Sequence, residues 1–361
     1  MSSKLFSEFQ LGPISLNNRV VVSPMCQYIA ENGKANDWHL MHYGSMSIGA
    51  GGLLMFEATH VSAQGRITHN CLGLFDDDTE VALKRVVDFC RNNGQAKLGI
   101  QLAHSGRKGS TKTPMDGGIP LAPDEHPWGT IAPSALPFAD GWHEPKEMDR
   151  QDLSRVKEEF VHAAQRAVKL GFDVIELHAA HGYLLNQFTS PLSNMRTDEY
   201  GGDLLSRLRY PLEIFDAVKD VIPRDVALGA RISGSDWVPS GLNPDEMSVF
   251  ARELEARGCH FVDVTSGQLD SRQDIDFAPG FNLPFSNRVK QDTRMAAMAV
   301  GMITTPQQAE DALLSGEADL IALARAVMDN PRWLWHAARQ LGDEINYVPG
   351  YQRCHPKVWQ G

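Results

Sequence analysis

Short runs of apolar and β-branched residues recur along the chain, and each leads through a polar stretch into a longer amphipathic segment. Runs of the first kind are typical of buried strands, and their alternation with helices is typical of βα units around a parallel sheet. The pattern predicts eight strands, at residues 19–25, 53–58, 97–103, 173–178, 227–232, 261–265, 299–303 and 320–324.

Two of the intervening helices have clear end signals. Asp152 precedes an amphipathic segment whose apolar positions recur every four residues until Gly171. Asn243, followed by a proline, opens a second segment that ends at Gly258. Asp, Asn and Pro favour helix starts, and Gly favours helix ends. Both helices therefore support the βα interpretation.

The chain has 361 residues, which suits a closed (β/α)8 TIM barrel with inserted loops better than an open doubly wound sheet. We expect a single α/β barrel domain over residues 1–361, with an N-terminal cap segment and a C-terminal tail at residues 343–361. The longest insertion, residues 104–148, follows the third strand and is rich in Gly and Pro. Such an insertion is well placed to shape a substrate pocket.

Composition restricts the partners. Hydrophobic residues make up 42% and charged residues 22% of the chain, as in soluble globular proteins. The 34 basic and 45 acidic residues give a net charge of −11 without a dense basic block, which argues against nucleic acid as a partner. The start of the chain lacks a signal-peptide pattern, and no run of ~18 apolar residues could span a bilayer. We expect a cytoplasmic protein without a membrane partner.

Polar or small residues lie at the ends of the predicted strands, where a barrel of this class builds its active site. Apolar barrel strands do not need them, so they form the candidate site: Cys26, Ala58, Gln101, His178 with His181, Arg231, Gly301 and Arg325. The five cysteines of the chain are scattered and form no C-x-x-C pair, which favours reduced thiols over disulfides or zinc.

His178 and His181 lie three residues apart, and Tyr183 follows closely. Three interpretations are open. A zinc site would need a third ligand, for which Glu176 is a candidate. The histidines could be structural. Alternatively, the two imidazoles hold a developing oxyanion while Tyr183 delivers a proton. We favour the last interpretation and predict no metal.

Three further features have weaker signals. The Cys26 thiol lies just past strand one, where it touches a bound ring or is simply a small buried hydrophobe. Gly301 and Arg325 belong to strands seven and eight, whose loops often bind phosphate in such barrels. His39 and His42 lie on the first predicted helix, away from the strand ends, and we interpret them as structural.

Resemblance to a known family depends on five segments taken together: SPMCQY, FEATHVSAQGRI, GIQLAHSGRK, ELHAAHGYLLNQFTSPLSNMRTDEYGG, and AVGMI followed by LIALAR. They resemble the Old Yellow Enzyme family of flavin-dependent ene reductases, in the same order and over nearly the whole chain. The similarity is to the bacterial branch that has a cysteine near the flavin and includes xenobiotic reductases. It implies non-covalently bound FMN, NADPH or NADH as reductant, and activated alkenes as substrates, with enones foremost and nitro compounds or nitrate esters as further candidates.

The resemblance also implies roles for individual residues. His178 and His181 would hold the substrate oxygen, Tyr183 would protonate the substrate, and Tyr28 would contact the same oxygen or shape the pocket. The residues implied at the flavin are Ser23, Pro24, Met25, Cys26 and Ala58 around the ring, Gln101 and Arg231 at its polar edge, and Gly301, Ala324 and Arg325 at the phosphate. Relatives commonly have glycine where this chain has Ala324, so contact through Arg325 is the more secure expectation.

Related bacterial enzymes send a C-terminal residue into a neighbouring subunit's active site. By this resemblance we expect a homodimer or higher oligomer in which Trp359, or less favourably Arg353, lines the partner's pocket; the alternative is a frayed tail. Alternative functions are a dienoyl-CoA reductase-like flavin barrel, a non-flavin lyase or metal-dependent aldolase using His178 and His181, and a non-catalytic flavin-binding protein.

Overall fold

A computed structural model describes residues 3–49 and 51–359. Its strands in chain order are β1 (Phe9–Leu11), β2 (Ile14–Leu16), β3 (Val20–Val22), β4 (Leu53–His60), β5 (Lys97–Ala103), β6 (Ile131–Ala132), β7 (Lys146–Glu147), β8 (Val174–Ala179), β9 (Ala227–Ser233), β10 (Phe261–Thr265), β11 (Ala296–Ala299) and β12 (Leu320–Leu323). Eight of them close a parallel barrel in the order β3, β4, β5, β8, β9, β10, β11, β12, with β12 pairing back to β3. The predicted (β/α)8 barrel is confirmed.

Helices surround this barrel. They are α1 (Asp37–Gly49), α2 (Asp77–Asn93), α3 (Arg150–Leu170), α4 (Leu184–Thr189), α5 (Leu204–Val221), α6 (Pro244–Ala256), α7 (Leu283–Asp292), α8 (Pro306–Leu314), α9 (Arg325–Asp329) and α10 (Trp333–Leu341). Alternate strand residues such as Leu54, Ile100 and Ile175 point outward and join the core that includes Phe160 of α3 and Phe215 of α5. None of the described helices is both long and apolar enough to cross a membrane.

The other strand residues face the barrel axis in layers of different polarity. At the N-terminal end, the interior is apolar: Leu53, Phe261 and Leu320 pack with residues of the β1–β2 hairpin, which acts as the expected N-terminal cap. Toward the C-terminal end the interior becomes polar. In register, Gln101 lies beside Glu176, and Arg231 beside Asp263. The apolar end supplies packing, and the polar end opens onto the candidate site.

One strand lies earlier in the chain than predicted. The seventh barrel strand is β11 at Ala296–Ala299, so the prediction of residues 299–303 is wrong in position. The alanine-rich segment AAMA has little of the β-branched character that marks strands, yet it fits a crowded barrel interior. Gly301 has φ +137°, which ends the extended backbone and makes residues 300–303 a loop. The first strand is also shorter and ends at Val22.

The helix ends agree with the sequence except at one position. Helix α3 begins three residues earlier than predicted, because Asp149 caps it by accepting hydrogen bonds from the backbone N–H groups of Gln151 and Asp152. Asp152 completes a capping box from inside the helix, which explains why it has the appearance of a cap. Gly171 ends this helix with φ +89°, and Asn243 caps α6, as predicted.

Two irregular segments lie outside the barrel proper. The insertion after β5 contains short 3-10 turns and the β6–β7 pair. The C-terminal tail is ordered against α10: a 3-10 helix at Pro349–Cys354 follows Tyr347, whose ring lies 4.3 Å from that of Trp335 between centroids. The tail is therefore not frayed over its described residues.

Candidate active site at the C-terminal end of the barrel

Three rings meet where β8 ends. The ring centroid of His178 lies 5.3 Å from that of His181 and 5.0 Å from that of Tyr183, with both pairs edge to face. The backbone brings this about by turning through left-handed conformations at His181 (φ +57°) and Gly182 (φ +70°) before α4 begins. The structure therefore brings together the three residues that the sequence singled out; we refer to them as the clamp.

Neighbouring strands hold His181 in place. Its Nε2 lies 2.9 Å from Thr265 Oγ1, and its backbone N–H donates to Ser233 Oγ over 3.3 Å. His178 is buried, and its Nδ1 has no hydrogen-bond partner in the described part of the chain. A buried polar atom of this kind is costly unless a bound molecule satisfies it. Because this nitrogen lies in the clamp, a molecule bound there could satisfy it.

The protonation states of the clamp follow from its surroundings. Desolvation, followed by the charge of Arg231, lowers the pKa of both His178 and His181 well below the usual value. Both imidazoles are therefore neutral near pH 7, and each has one N–H to donate. Desolvation raises the pKa of Tyr183, with Cys26 the next contributor, so its phenol keeps its proton. The clamp offers neutral hydrogen-bond donors and a proton source.

A buried polar layer lies below the clamp. Gln101 Nε2 donates to Glu176 Oε1 over 2.7 Å, and Arg231 Nε lies 3.1 Å from Asp263 Oδ2. Desolvation is the main cause that raises the pKa of Glu176 and of Asp263, and the charge of Arg231 opposes it in both. Among the described residues no group of His, Cys, Asp and Glu has a metal-binding arrangement.

The SPMCQY segment crosses the barrel mouth after β3. Ser23 donates its backbone N–H to Leu323 of β12 over 2.9 Å, and its buried hydroxyl has no partner among the described residues. Cys26 lies close to Ala58 and Tyr28, and desolvation raises its thiol pKa well above the usual value. The thiol is therefore neutral. A bulge in β4 moves Ala58 into register with Gln101, and both residues are buried.

Glu57, the extra residue of this bulge, also lies beside His39 of the other histidine pair. Glu57 accepts a hydrogen bond from the Tyr43 hydroxyl over 3.0 Å and one from the backbone N–H of Gln27 over 3.1 Å. His39 is buried with Nε2 3.6 Å from Glu57 Oε1, and desolvation lowers its pKa to about 4. His42 is likewise buried on α1. These contacts support the structural interpretation of both histidines.

A cavity of about 430 Å³ lies beyond the ends of β10, β11 and β12. Gly301 is part of its wall, and a Cβ at that position would lie 3.0 Å from both Asn282 Nδ2 and Phe281 Cε1. Arg325 also lines the cavity; it is exposed and makes no ion pair with the described residues. Ala324 precedes it as the N-cap of the short helix α9. A glycine cradle beside a free guanidinium suits an anionic group such as phosphate.

Several residues at the site were missed from the sequence. Asp263, Thr265, Asn282 and Lys108 all line or support it. A signal existed for Asp263, since a charged residue in the buried run FVDVT has to be compensated by a partner. Lys108 could not be recognised in this way, because its partners are backbone carbonyls of other loops.

Trp359 is not among the clamp residues. It is 55% exposed and lies beside Arg339 of α10, whose Cζ is 5.8 Å from the Trp359 ring centroid. Tyr28 and the flavin candidates Ser23 to Cys26, Ala58, Gln101 and Arg231 lie around the C-terminal end of the barrel, and their roles at a flavin stay a prediction. Gly301, Ala324 and Arg325 lie together at the adjoining cavity.

Comparison with known proteins places these features in context. The model of a family described as "NADH:flavin oxidoreductase / NADH oxidase family" matches residues 4–344. An NADPH dehydrogenase from Geobacillus sp. (strain WCH70) is 41% identical over 355 residues, which cover 98% of this chain and 99% of the relative. A second NADPH dehydrogenase, from Geobacillus thermodenitrificans (strain NG80-2), is also 41% identical over 355 residues, with the same coverage.

Solved structures show the same barrel. Morphinone reductase has a TM-score of 0.78 and 27% identity, with 97% of this chain and 93% of that chain covered. A 2-naphthoyl-CoA reductase complex has a TM-score of 0.84 but 20% identity, and this chain spans 53% of its length. The latter similarity therefore concerns the fold alone.

The family match takes in every barrel strand, the clamp and the cavity beyond β12. The chain is an oxidoreductase whose cofactor is FMN and whose reductant is a nicotinamide nucleotide. It belongs to the NADH:flavin oxidoreductase / NADH oxidase family, and the Old Yellow Enzyme resemblance of its sequence is confirmed.

Proposed function

We propose that this protein is an NAD(P)H-dependent ene reductase that reduces the activated C=C bond of enones, with nitro compounds and nitrate esters as further substrates. The observation that carries the proposal is the clamp, in which two neutral imidazoles and a protonated phenol converge at the C-terminal end of the barrel. Such a group binds an oxygen that gains negative charge and supplies a proton nearby.

The residues around the mouth fit FMN. The ring would lie among Ser23, Pro24, Met25, Cys26 and Ala58. The buried hydroxyl of Ser23, which has no hydrogen-bond partner among the described residues, could bond to it. Gln101 and Arg231 would bind its polar edge from the buried layer. Gly301 and Arg325 would hold the phosphate in the 430 Å³ cavity, with Ala324 contributing only backbone. When bound, FMN would supply the hydride-transfer chemistry between the nicotinamide and the substrate.

The clamp residues perform the polar part of the reaction. His178 and His181 donate hydrogen bonds to the carbonyl or nitro oxygen of the substrate, which withdraws electron density from the β-carbon. Because both imidazoles are neutral, this polarisation comes from hydrogen bonds and not from an imidazolium charge. Tyr183, whose pKa is raised, holds its proton at the phenolic oxygen until the α-carbon requires it. Tyr28, which lies near Cys26 and Tyr183, contacts the same oxygen or shapes the pocket.

The buried layer supports the cofactor electrostatically. A cation near the polar edge of a flavin favours the form that carries extra negative charge. Arg231 supplies this cation, and Asp263 holds its guanidinium in place at 3.1 Å. The alternative of a metal-dependent aldolase using His178 and His181 has less support, because no group of His, Cys, Asp and Glu among the described residues has a metal-binding arrangement.

We propose activated alkenes as the small-molecule partners and a cytoplasmic location. The five cysteines form no disulfide in the described structure, and reduced thiols are usual in a reducing compartment. We also propose that residues 1–361 form one barrel domain, that the chain assembles as a homodimer or higher oligomer, and that Trp359 reaches a partner's pocket.

The test compares wild type with His178→Ala, His181→Ala and the control His162→Ala, which removes an exposed imidazole on α3. Wild type should be yellow and should oxidise NADPH in the presence of 2-cyclohexenone. Each clamp variant should keep FMN but lose roughly 100-fold in the rate of enone reduction, as expected for loss of one oxyanion donor. The control should match wild type. Undiminished enone turnover in a His178→Ala, His181→Ala double variant would refute the proposed roles.

A further inference from the structure

Lys108 lies at the edge of the clamp and links two loops that are remote in sequence. It ends the 3-10 turn Gly106–Lys108 that follows β5. Its ammonium donates to the backbone carbonyl of His181 over 2.9 Å and to that of Gln268 over 2.8 Å. The β5, β8 and β10 loops are therefore joined at one nitrogen atom.

Both acceptor residues have unusual backbone geometry. His181 has φ +57° and Gln268 has φ +69°, in the left-handed region that non-glycine residues seldom adopt. The loops also approach closely: a Cβ on Gly182 would lie 2.4 Å from the Gln268 carbonyl oxygen. Strained residues persist where surrounding contacts fix them. The Lys108 ammonium provides such a contact to each.

The ammonium also lies near the aromatic rings of the site. Lys108 Nζ is 5.1 Å from the ring centroid of Tyr183 and 4.8 Å from that of Phe138 in the insertion. These distances allow attraction between the cation and the ring faces. Lys108 therefore contacts two of the three clamp residues, His181 through its carbonyl and Tyr183 through its ring.

Among the described cations near the clamp, Lys108 is the least compensated. Arg231 lies 3.1 Å from the carboxylate of Asp263. Arg107 is influenced by the charges of Asp270 and Asp236. Lys108 forms no ion pair within the described chain, and its neighbours are carbonyls, rings and the like charge of Arg107. Since His178 and His181 are neutral, the Lys108 ammonium supplies an uncompensated positive charge at the edge of the clamp.

We propose that Lys108 is a positioning residue of the clamp: its ammonium fixes the backbone of His181 and the ring of Tyr183, and its charge favours an oxygen that becomes negative between them. This inference rests on the proposed function of His178, His181 and Tyr183. It extends that function to a residue that does not touch the reacting atoms.

The charge on Lys108 changes within the working pH range. Desolvation, followed by the charge of Arg107, lowers its pKa to about 7. The ammonium is therefore present below this pH and is lost as the pH rises through it. The titratable groups around it are His178 and His181 with lowered pKa values, Tyr183 with a raised one, and Asp270, whose pKa its partner Arg272 lowers. All four keep their charge state between about pH 6 and pH 9. Burial raises the pKa of Glu57 to about 7 and that of Glu176 to about 8, but neither carboxyl contacts Lys108. A change near pH 7 is therefore assigned to Lys108 by its loss in the Lys108 variants.

The experiment measures how fast pre-reduced holoenzyme is reoxidised by 2-cyclohexenone in stopped flow between pH 6 and pH 9. It compares wild type, Lys108→Met, Lys108→Arg and the control Lys112→Met. Lys112 lies four residues further along the same segment and pairs with Glu125, with Nζ 2.8 Å from Oε1. FMN content and circular dichroism establish that each variant is folded and loaded.

We expect the second-order rate of wild type to fall as the pH rises through about 7. Lys108→Met should be slower at pH 6 by about 10-fold, less than the roughly 100-fold typical of a donor that touches the oxyanion. It should also lack the pH dependence. Lys108→Arg should restore much of the rate at pH 6 and keep it at pH 9, because a guanidinium stays protonated. Lys112→Met should follow wild type.

Two results would overturn the inference. The first is a Lys108→Met rate equal to that of wild type. The second is a Lys108→Arg variant that is as slow as Lys108→Met at pH 6 and still shows the wild-type fall in rate near pH 7. If Lys108→Met does not fold, the pH profile of Lys108→Arg decides alone, since an unchanged fall near pH 7 would exclude Lys108 as its source. A wild type that does not react with any alkene would instead refute the proposed function.

Discussion

At the scale of single residues, the site depends on which groups remain uncharged. Desolvation keeps His178 and His181 neutral and keeps Tyr183 protonated. A neutral imidazole binds a carbonyl oxygen more weakly than an imidazolium, but it favours that oxygen increasingly as negative charge develops. The same desolvation holds Cys26 as a neutral thiol. A neutral thiol is a poor nucleophile, so we propose that Cys26 acts through its polarity and shape.

Replacing Tyr183 by phenylalanine separates proton delivery from the other steps. The change removes only the phenolic oxygen, so the packing against His178 at 5.0 Å between centroids is kept. Tyr183→Phe should slow reoxidation by 2-cyclohexenone about 100-fold, as is usual for loss of a general acid, and should leave reduction by NADPH nearly unchanged. Stopped-flow measurement of the two half-reactions provides the test.

A Tyr28→Phe variant is the matched control, because it removes a second phenolic oxygen from the same pocket. Its effect on reoxidation should be smaller than that of Tyr183→Phe. Equal slowing of both half-reactions in Tyr183→Phe would contradict the assigned role, since only the alkene step requires a proton at carbon.

The sequence predicts residues of this site to different extents. His178, His181 and Tyr183 are close in sequence, and the strand-to-helix turn after β8 brings them together, so a local pattern was sufficient. Lys108 is 73 residues away from His181 and 160 away from Gln268. Its partners are backbone carbonyl oxygens, which every residue has, so no residue type in the sequence indicates them. Its role could therefore emerge only from the folded loops.

At the scale of elements, strand ends and bulges place the side chains. The extra residue Glu57 in β4 shifts the register so that Ala58 pairs with Gln101. Glu57 itself accepts the N–H of Gln27 and so fixes the segment that contains Cys26. Most strands and helices followed from hydrophobic periodicity. The seventh strand did not, because its alanines lack β-branched side chains and the loop after it, residues 300–303, has the more strand-like composition.

That loop supports a prediction about cofactor binding. Gly301 has φ +137°, and an added Cβ would meet Asn282 and Phe281 at 3.0 Å. Gly301→Ala should therefore displace the wall of the cavity and weaken FMN binding about 10-fold or more, since backbone strain of this kind costs roughly 1–3 kcal/mol. Titration of apo-protein with FMN, followed by quenching of flavin fluorescence, measures the change in Kd.

Gly316→Ala serves as the control for strain alone. Gly316 has φ +79°, and a Cβ there would meet nothing within 4 Å. This variant should lose thermal stability but bind FMN like wild type. If Gly301→Ala bound FMN as tightly as Gly316→Ala, the loop after β11 would not be part of the phosphate site.

At the scale of the whole molecule, the two ends of the barrel have different tasks. The β1–β2 hairpin closes the N-terminal end with apolar side chains, while the loops at the other end carry the chemistry. The barrel and its cap could be predicted because apolar burial follows periodicity. The path of the tail could not be predicted, because its few aromatic residues do not recur at the spacing of a helix or a strand. The structure places it against α10, with Tyr347 on Trp335.

We propose that large apolar side chains exposed on α1 and on the tail take part in association between subunits. Trp38 and Met41 of α1 are 49% and 52% exposed, and Tyr351 and Trp359 of the tail are 40% and 55% exposed. Helix α1 meets the start of α10 at its C-terminal end, where Arg332 donates to the backbone carbonyl of Ser45, whereas Trp38 and Met41 lie in its first turns. Exposed large apolar side chains of this kind can belong to an interface between subunits. A two-fold interface that included the tail would bring it close to the other subunit.

Trp359→Ala tests whether the tail completes a partner's pocket. If Trp359 lines that pocket, the variant should raise KM for bulky alkenes by about 10-fold, corresponding to the loss of one buried aromatic contact, while FMN content stays constant. Val358→Ala, which alters a neighbouring side chain that is 70% exposed, should have little effect. Deletion of residues 351–361 should raise KM similarly, and a tail that belongs to the subunit interface predicts that the deletion also shifts the mass in solution toward the monomer. Steady-state kinetics and light scattering measure both quantities. Unchanged KM and unchanged mass in the truncated protein would show that the tail serves only to cover α10 of its own subunit.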